Sequence, residues 1–155
     1  MQEKVVFDTS VYIGVFNQGL YQNEIDGFNK VMYLVHPVLH ELWIGARGKR
    51  EINHLISFGI SFIRLARLVV PSSTTQVLIG RTCQKLRSSG RLDPANPRIY
   101  NEICIALLAR QIGATVVTTN ISDFEKINQV IDFKSRQVIP NVAKVEDAAD
   151  SRRQG

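Results

Sequence analysis

The chain has 155 residues, 45% of them apolar and 21% charged, with a net charge of +5 and an isoelectric point near 9.5. That length suits one domain around one core, and the apolar content excludes a globally disordered chain. No apolar run approaches the roughly 20 residues of a membrane-spanning helix. The opening MQEKVVFDTS has neither the apolar core nor the cleavage site of a signal peptide, so a cytoplasmic location and no membrane association are expected. Cys83 and Cys104 form no C-x-x-C pair and cannot make a disulfide framework; both read as reduced, structural thiols. The basic balance suits a polyanionic partner, because Lys and Arg displace counterions from phosphate, but by itself it decides nothing.

In chain order, Val5-Val6-Phe7 is a short β-favouring run that ends in Asp8, and Val31 to Val35 is a second. Pro37 suits the first turn of a helix over Val38 to Ala46, since its missing N–H costs nothing there. Glu51 to Ile63 is apolar at helical spacing, interrupted by Gly59. Leu68 to Pro71 is a third strand candidate, after which Ser72 or Ser73 caps a helix running to about Arg87. Ser88 to Pro97 reads as a loop. Asn96-Pro97 then predicts a cap and first turn, with the helix ending at Gly113. Thr115 to Thr118 is a fourth strand, Ser122 caps a short helix through Ile127, and Val130-Ile131-Asp132 is the candidate for a last, edge strand. Strands alternating with helices predict an α/β fold with a parallel sheet covered on both faces. One domain over residues 1–145 is expected, with a polar tail over 146–155.

The informative feature is where the carboxylates fall. Asp8 directly follows the first predicted strand; Asn120 and Asp123 follow the fourth. In open α/β sheets functional groups collect beyond the carboxyl ends of strands, where strand order reverses. Glu41 and Glu102 lie soon after their helices begin, in turns that point toward the same edge. Four carboxylates brought together raise each other's pKa and destabilise a fold, and a hard divalent cation resolves that conflict. Such an ion activates water and steadies phosphate oxygens, so acids at this edge on a basic protein suggest phosphodiester hydrolysis. Each acid also has a plain structural reading. Asp8 before Thr9-Ser10 can be a turn former or helix cap, Asp123 a first-turn acid favoured by the helix dipole, and Glu41 and Glu102 solvated helix acids.

Three segments carry a resemblance. VVFDTSVYIGVF resembles the opening motif of the PIN-domain family, a strand ending in Asp, then Thr-Ser and an apolar helix. HPVLHELWIGA resembles the second motif, with its helical Glu followed by Leu and a Gly-Ala pair. NEICIALLARQIGATVVTTNISDFEKI resembles the third and fourth together: Glu102 precedes Ala106 and Ala109, and Thr118-Thr119-Asn120 precede Asp123-Phe124. The likeness spans about Val5 to Ile127, and four motifs in order are more specific than any one alone. Within the family the chain is most similar to the toxin halves of VapBC-type toxin–antitoxin pairs. The resemblance implies a PIN-like three-layer fold, a central parallel sheet of about four or five strands between helices. It implies a ribonuclease that uses Mg²⁺ or Mn²⁺ held by Asp8, Glu41, Glu102 and Asp123, with Thr118 and Asn120 lining the pocket. It implies an RNA substrate, a small antitoxin protein as partner and a homodimer. The chain departs from the family at Glu102, where Asp is usual. A Glu reaches one methylene further, and this keeps open an alternative: a degenerate PIN-like module that binds RNA or a protein partner without cutting.

Other signals are weaker. His36 and His40 are not an H-E-x-x-H zinc motif, and His40 is expected at the pocket rim. Trp43 and Tyr33 read as core residues before base-stacking platforms. Arg81, Lys85, Arg87, Arg91 and Arg98 surround the Ser88–Pro97 loop, either as a solvated face or, for Arg87, Arg91 and Arg98 above all, as a grip on RNA phosphates. A Rossmann dehydrogenase would need G-x-G-x-x-G after the first strand, and a haloacid-dehalogenase-like phosphatase a second acid at the position of Ser10; neither is present.

Overall fold

A computed structural model describes residues 1–141. The polar segment 146–155, and with it the expected domain boundary at 145, lies outside the described residues. The elements follow as β1 (Glu3–Phe7), α1 (Thr9–Gln18), the short α2 (Gln22–Ile25), β2 (Lys30–Val35), α3 (His36–Gly45), α4 (Lys49–Arg64), β3 (Leu68–Val69), α5 (Ser73–Ser89), α6 (Pro97–Ile112), β4 (Thr115–Thr118), α7 (Ile121–Asn128) and β5 (Lys134–Gln137). The strands form one five-stranded sheet in the order β3-β2-β1-β4-β5, and every pairing is parallel. The fold is α/β, a parallel sheet flanked by helices.

The chain first builds outward from β1 to β2 and β3, then returns to β4 on the other side of β1. Right-handed crossovers place the helices of those two journeys on opposite faces of the sheet. The reversal between β1 and β4 is a topological switch point. Their register, Val5 opposite Thr115 through Phe7 opposite Val117, brings the residues after both strands side by side.

Helix α6 runs through the middle of this arrangement. Asn96 caps it by accepting the Arg98 N–H at 3.0 Å, Pro97 fills the first turn, and Gly113 ends it at φ 68°, a left-handed conformation natural to glycine. Every residue from Glu102 to Ala109 is buried. A helix apolar on all sides belongs inside a domain, and α6 touches α3, α5, α7, β1, β2 and β4. A carboxylate in its first turns is therefore carried into the protein interior.

Three local expectations are corrected. The last strand is Lys134–Gln137 and not Val130–Asp132; residues 129–133 instead turn, with Asn128 Nδ2 donating to the Phe133 carbonyl at 2.6 Å. KSRQ has no strand pattern of its own and is extended because the open edge of β4 pairs it, Thr115 to Lys134 onward. The N-cap of α7 is Asn120 and not Ser122. Trp43, expected in the core, is 39% exposed, while Tyr33 is half-buried beneath the Lys4 ammonium, 5.9 Å from its ring centre. Among the described residues no helix is long and apolar enough to cross a membrane.

Candidate active site

Asp8 sits where β1 ends and α1 begins. Its Oδ1 accepts the Thr9 N–H at 2.8 Å, so it does serve as the cap of α1. Its Oδ2 accepts two further bonds, from Thr118 Oγ1 at 2.8 Å and Ser10 Oγ at 3.2 Å. Thr118, fully buried at the end of β4, also accepts the Asn120 N–H at 3.1 Å, and its own bond to Asp8 ties the two strand ends together. The capping reading of Asp8 is thus realised, and its carboxylate also lies close to that of Glu41. Burial pushes its carboxyl above the ordinary value; the bonds from Thr118, Thr9 and Ser10 oppose this, and nearby Glu41 adds to it.

Glu41, on the outward turn of α3, is held from two sides. The Thr9 hydroxyl donates to its Oε2 in a short bond, and Asn101 Nδ2 donates to its Oε1 at 2.9 Å. Glu102 is buried, with Oε1 accepting from Arg98 Nη1 at 3.1 Å. Its Oε2 is buried with no hydrogen-bond partner. Burial, followed by the charge of Asp123, pushes the Glu102 carboxyl up to about 7; Arg98 pulls it down and Asp8 adds a further rise. Asp123, in the first turn of α7, accepts from the same Arg98 Nη1 at 2.7 Å. Lys126 lies 3.8 Å away on the next turn.

The structure brings Asp8, Glu41, Glu102 and Asp123 to one edge of the sheet, with Thr118 inside and Asn120 exposed beside them. Arg98 joins them as the cation between Glu102 and Asp123. Arg87 and Arg91, in the last turn of α5 and just past it, are exposed and make no ion pair with these acids. His40 lines a 340 Å³ cavity beside the site, shared with His36, Glu41, Tyr100 and Asn101. Sequence reasoning missed Thr9 and Asn101 as holders of Glu41. Thr9 had a signal in its place beside Asp8; Asn101 had none, since its partner lies 60 residues away.

The donor set has the chemistry of a hard-cation site. It is all carboxylate oxygen, and one of those oxygens is buried without a partner. As they stand, no three acid, His or Cys side chains among the described residues are arranged to hold a metal ion. Arg98 pairs with Glu102 and Asp123, while Thr9 and Asn101 bond Glu41.

No protein-family model and no curated protein matches the chain. Solved structures do. A VapBC2 structure from Rickettsia felis, bound to a DNA fragment from their promoter, contains a chain 23% identical; the match covers 86% of this chain and 98% of that one at a TM-score of 0.63. The DNA-bound VapBC of Salmonella typhimurium matches at 20% identity, over 90% of this chain and 100% of the other, with a TM-score of 0.65. VapBC-1 of nontypeable Haemophilus influenzae matches at 17% identity over 86% and 97%, again at 0.65. At such identities the common property is the backbone architecture. The chain has the PIN-like fold found in proteins of VapBC toxin–antitoxin systems.

Proposed function

We propose that this protein is a metal-dependent endoribonuclease, the toxin of a toxin–antitoxin pair. The observation that carries the reading is the gathering of four carboxylates at the β1/β4 switch point, one of them with a buried, unpartnered oxygen, on a protein of net charge +5. Asp8, Glu41, Glu102 and Asp123 would hold Mg²⁺ or Mn²⁺. When bound, such an ion polarises phosphate and lowers the pKa of a water. The chain's own groups do the rest. Thr118, Ser10 and the Thr9 N–H fix the Asp8 carboxylate; the Thr9 hydroxyl and Asn101 fix Glu41. Arg87, Arg91 and Arg98 would offer cations to the RNA backbone, which is the sequence-independent part of nucleic-acid affinity. The fold likeness to VapBC assemblies supports a small antitoxin protein as partner, and a homodimer and cytoplasmic location accord with that role.

One observation favours a second reading. Arg98 already pairs two of the four acids, and Glu102 stands where Asp is usual in the family it resembles. A non-cutting module that binds RNA or protein would look the same. The deciding experiment is incubation of total RNA with the purified protein in Mg²⁺, Mn²⁺ or excess chelator, followed by mapping of new ends. Cleavage in either metal and none in chelator is expected. Cleavage that persists in chelator overturns the mechanism, and no cleavage in any condition favours the second reading.

A further inference from the structure

Arg98 occupies the first turn of α6, where the helix dipole disfavours a cation and where no acid of the same turn offers it a partner. Its partners are Glu102, one turn further along the same helix, and Asp123, across the fold in α7. Although the side chain is 57% exposed, one nitrogen, Nη1, reaches Glu102 at 3.1 Å and Asp123 at 2.7 Å, whose side chains are 9% and 11% exposed. One nitrogen thus serves two nearly buried carboxylates, while Lys126 reaches only Asp123, at 3.8 Å, and Glu102 Oε2 remains buried and unpartnered. The guanidinium stands between two of the carboxylates that would hold an ion. A second positive charge brought there would meet it at contact distance.

We propose that Arg98 is a resident counter-cation, which holds Glu102 and Asp123 in the absence of metal and must swing out before a divalent ion can bind there. This rests on the metal-site reading above. The exposed stem gives the side chain a route outward without disturbing the core, and α6 itself is pinned by its cap and its buried face. Arg98 is then a positioning residue that sets a threshold for metal loading.

The test is a Mn²⁺ titration of the full chain, without RNA, followed by electron paramagnetic resonance of the free ion. Wild type is compared with Arg98→Gln, Arg98→Met and Arg98→Lys. Removing one adjacent charge should tighten Mn²⁺ binding about tenfold or more in the Gln and Met variants, as a neighbouring charge commonly shifts a site by one logarithmic unit or more. Arg98→Lys, which keeps the charge, should stay close to wild type. In wild type, a Mg²⁺ titration followed by low-temperature NMR of the arginine Nη–H groups should release the Arg98 Nη1 signal from its bonded state, a readout that needs no variant to fold. Equal affinity in wild type and the two neutral variants overturns the proposal while leaving the metal site standing. So does equal tightening in all three variants, since shape and not charge would then matter. Absence of binding in all four proteins removes the metal site itself, and the proposal with it.

Discussion

Two buried glutamates in this molecule have opposite fates. Glu24, in α2, is 3% exposed and fully paired: Arg136 donates from Nη1 at 2.9 Å and Nη2 at 3.0 Å, and Lys30 Nζ lies at 2.6 Å. Burial alone would raise its pKa, but those two cations override it and hold the carboxyl down at about 2. Glu102 is 7% exposed, shares one nitrogen with Asp123 and leaves an oxygen unpartnered, and its carboxyl rises to about 7. Lys30 opens β2 at the amino end of the sheet, whereas Glu102 faces the carboxyl edge. Burial is common to both; the supply of partners differs. A buried acid whose charge is satisfied is a clasp, here joining α2, β2 and β5. A buried acid left short of partners among other acids is a candidate for a functional group.

The comparison breaks first at the acid site. Asp8→Asn preserves shape and removes charge, and it should lower metal-dependent RNA cleavage by about a hundredfold or more, in the range seen when a single electrostatic catalytic group is lost. Circular dichroism should show it folded. A variant that cuts at the wild-type rate would make Asp8 a helix cap and nothing more. Glu24→Gln should do the reverse, costing roughly 3 kcal/mol of stability by leaving Arg136 and Lys30 without their buried partner, with cleavage per folded molecule unchanged. Urea denaturation and an RNA assay on the same preparation separate the two effects.

Glu102 allows a finer cut. Glu102→Gln should lose most cleavage, while Glu102→Asp should preserve or raise it. In chelator at pH 8 the Gln variant should gain about 1 kcal/mol, or some 2–4 °C in melting temperature for a domain of this size. Loss of stability in Glu102→Gln would mean that its carboxylate is adequately paired and the contrast with Glu24 is false.

The smallest effect is in pH dependence, and the two residues should shape opposite limbs. Between the ordinary value of 4.5 and about 7, the folded protein keeps a proton on Glu102 that the unfolded chain has released. Unfolding free energy contributed by this group therefore falls as pH rises through that window. For Glu24 the folded value lies near 2 against 4.5, so its contribution is complete above 4.5 and is lost as pH falls toward 2. Chemical denaturation across pH in chelator should show both slopes, with Glu102→Gln flattening only the neutral limb and Glu24→Gln only the acid limb. A neutral limb unchanged in Glu102→Gln assigns that slope to another group.

Much of this was legible in the linear chain because it depends on near neighbours. The apolar run before Asp8, the Asn96-Pro97 start and Gly113 stop of α6, and the strand before Thr118 are all encoded within a few residues. Their order predicts a parallel α/β sheet, and a parallel sheet places Asp8 and Thr118 at one edge. What the chain did not reveal are pairings across distance. Glu24 and Arg136 are 112 residues apart, and nothing around either marks them as partners. The strand KSRQ exists only because β4 offers it an edge. Arg98, read along the chain as one more basic residue beside a loop, is drawn to Asp123, 25 residues on, by the field of acids that the fold collects. Sequence by itself determined the main helices and the first four strands, the last edge strand apart, and which strand ends carry acids, since periodicity and capping are local. The tertiary structure alone decided which acids go unsatisfied and which cation stands among them, because charge interacts through space and not along the backbone.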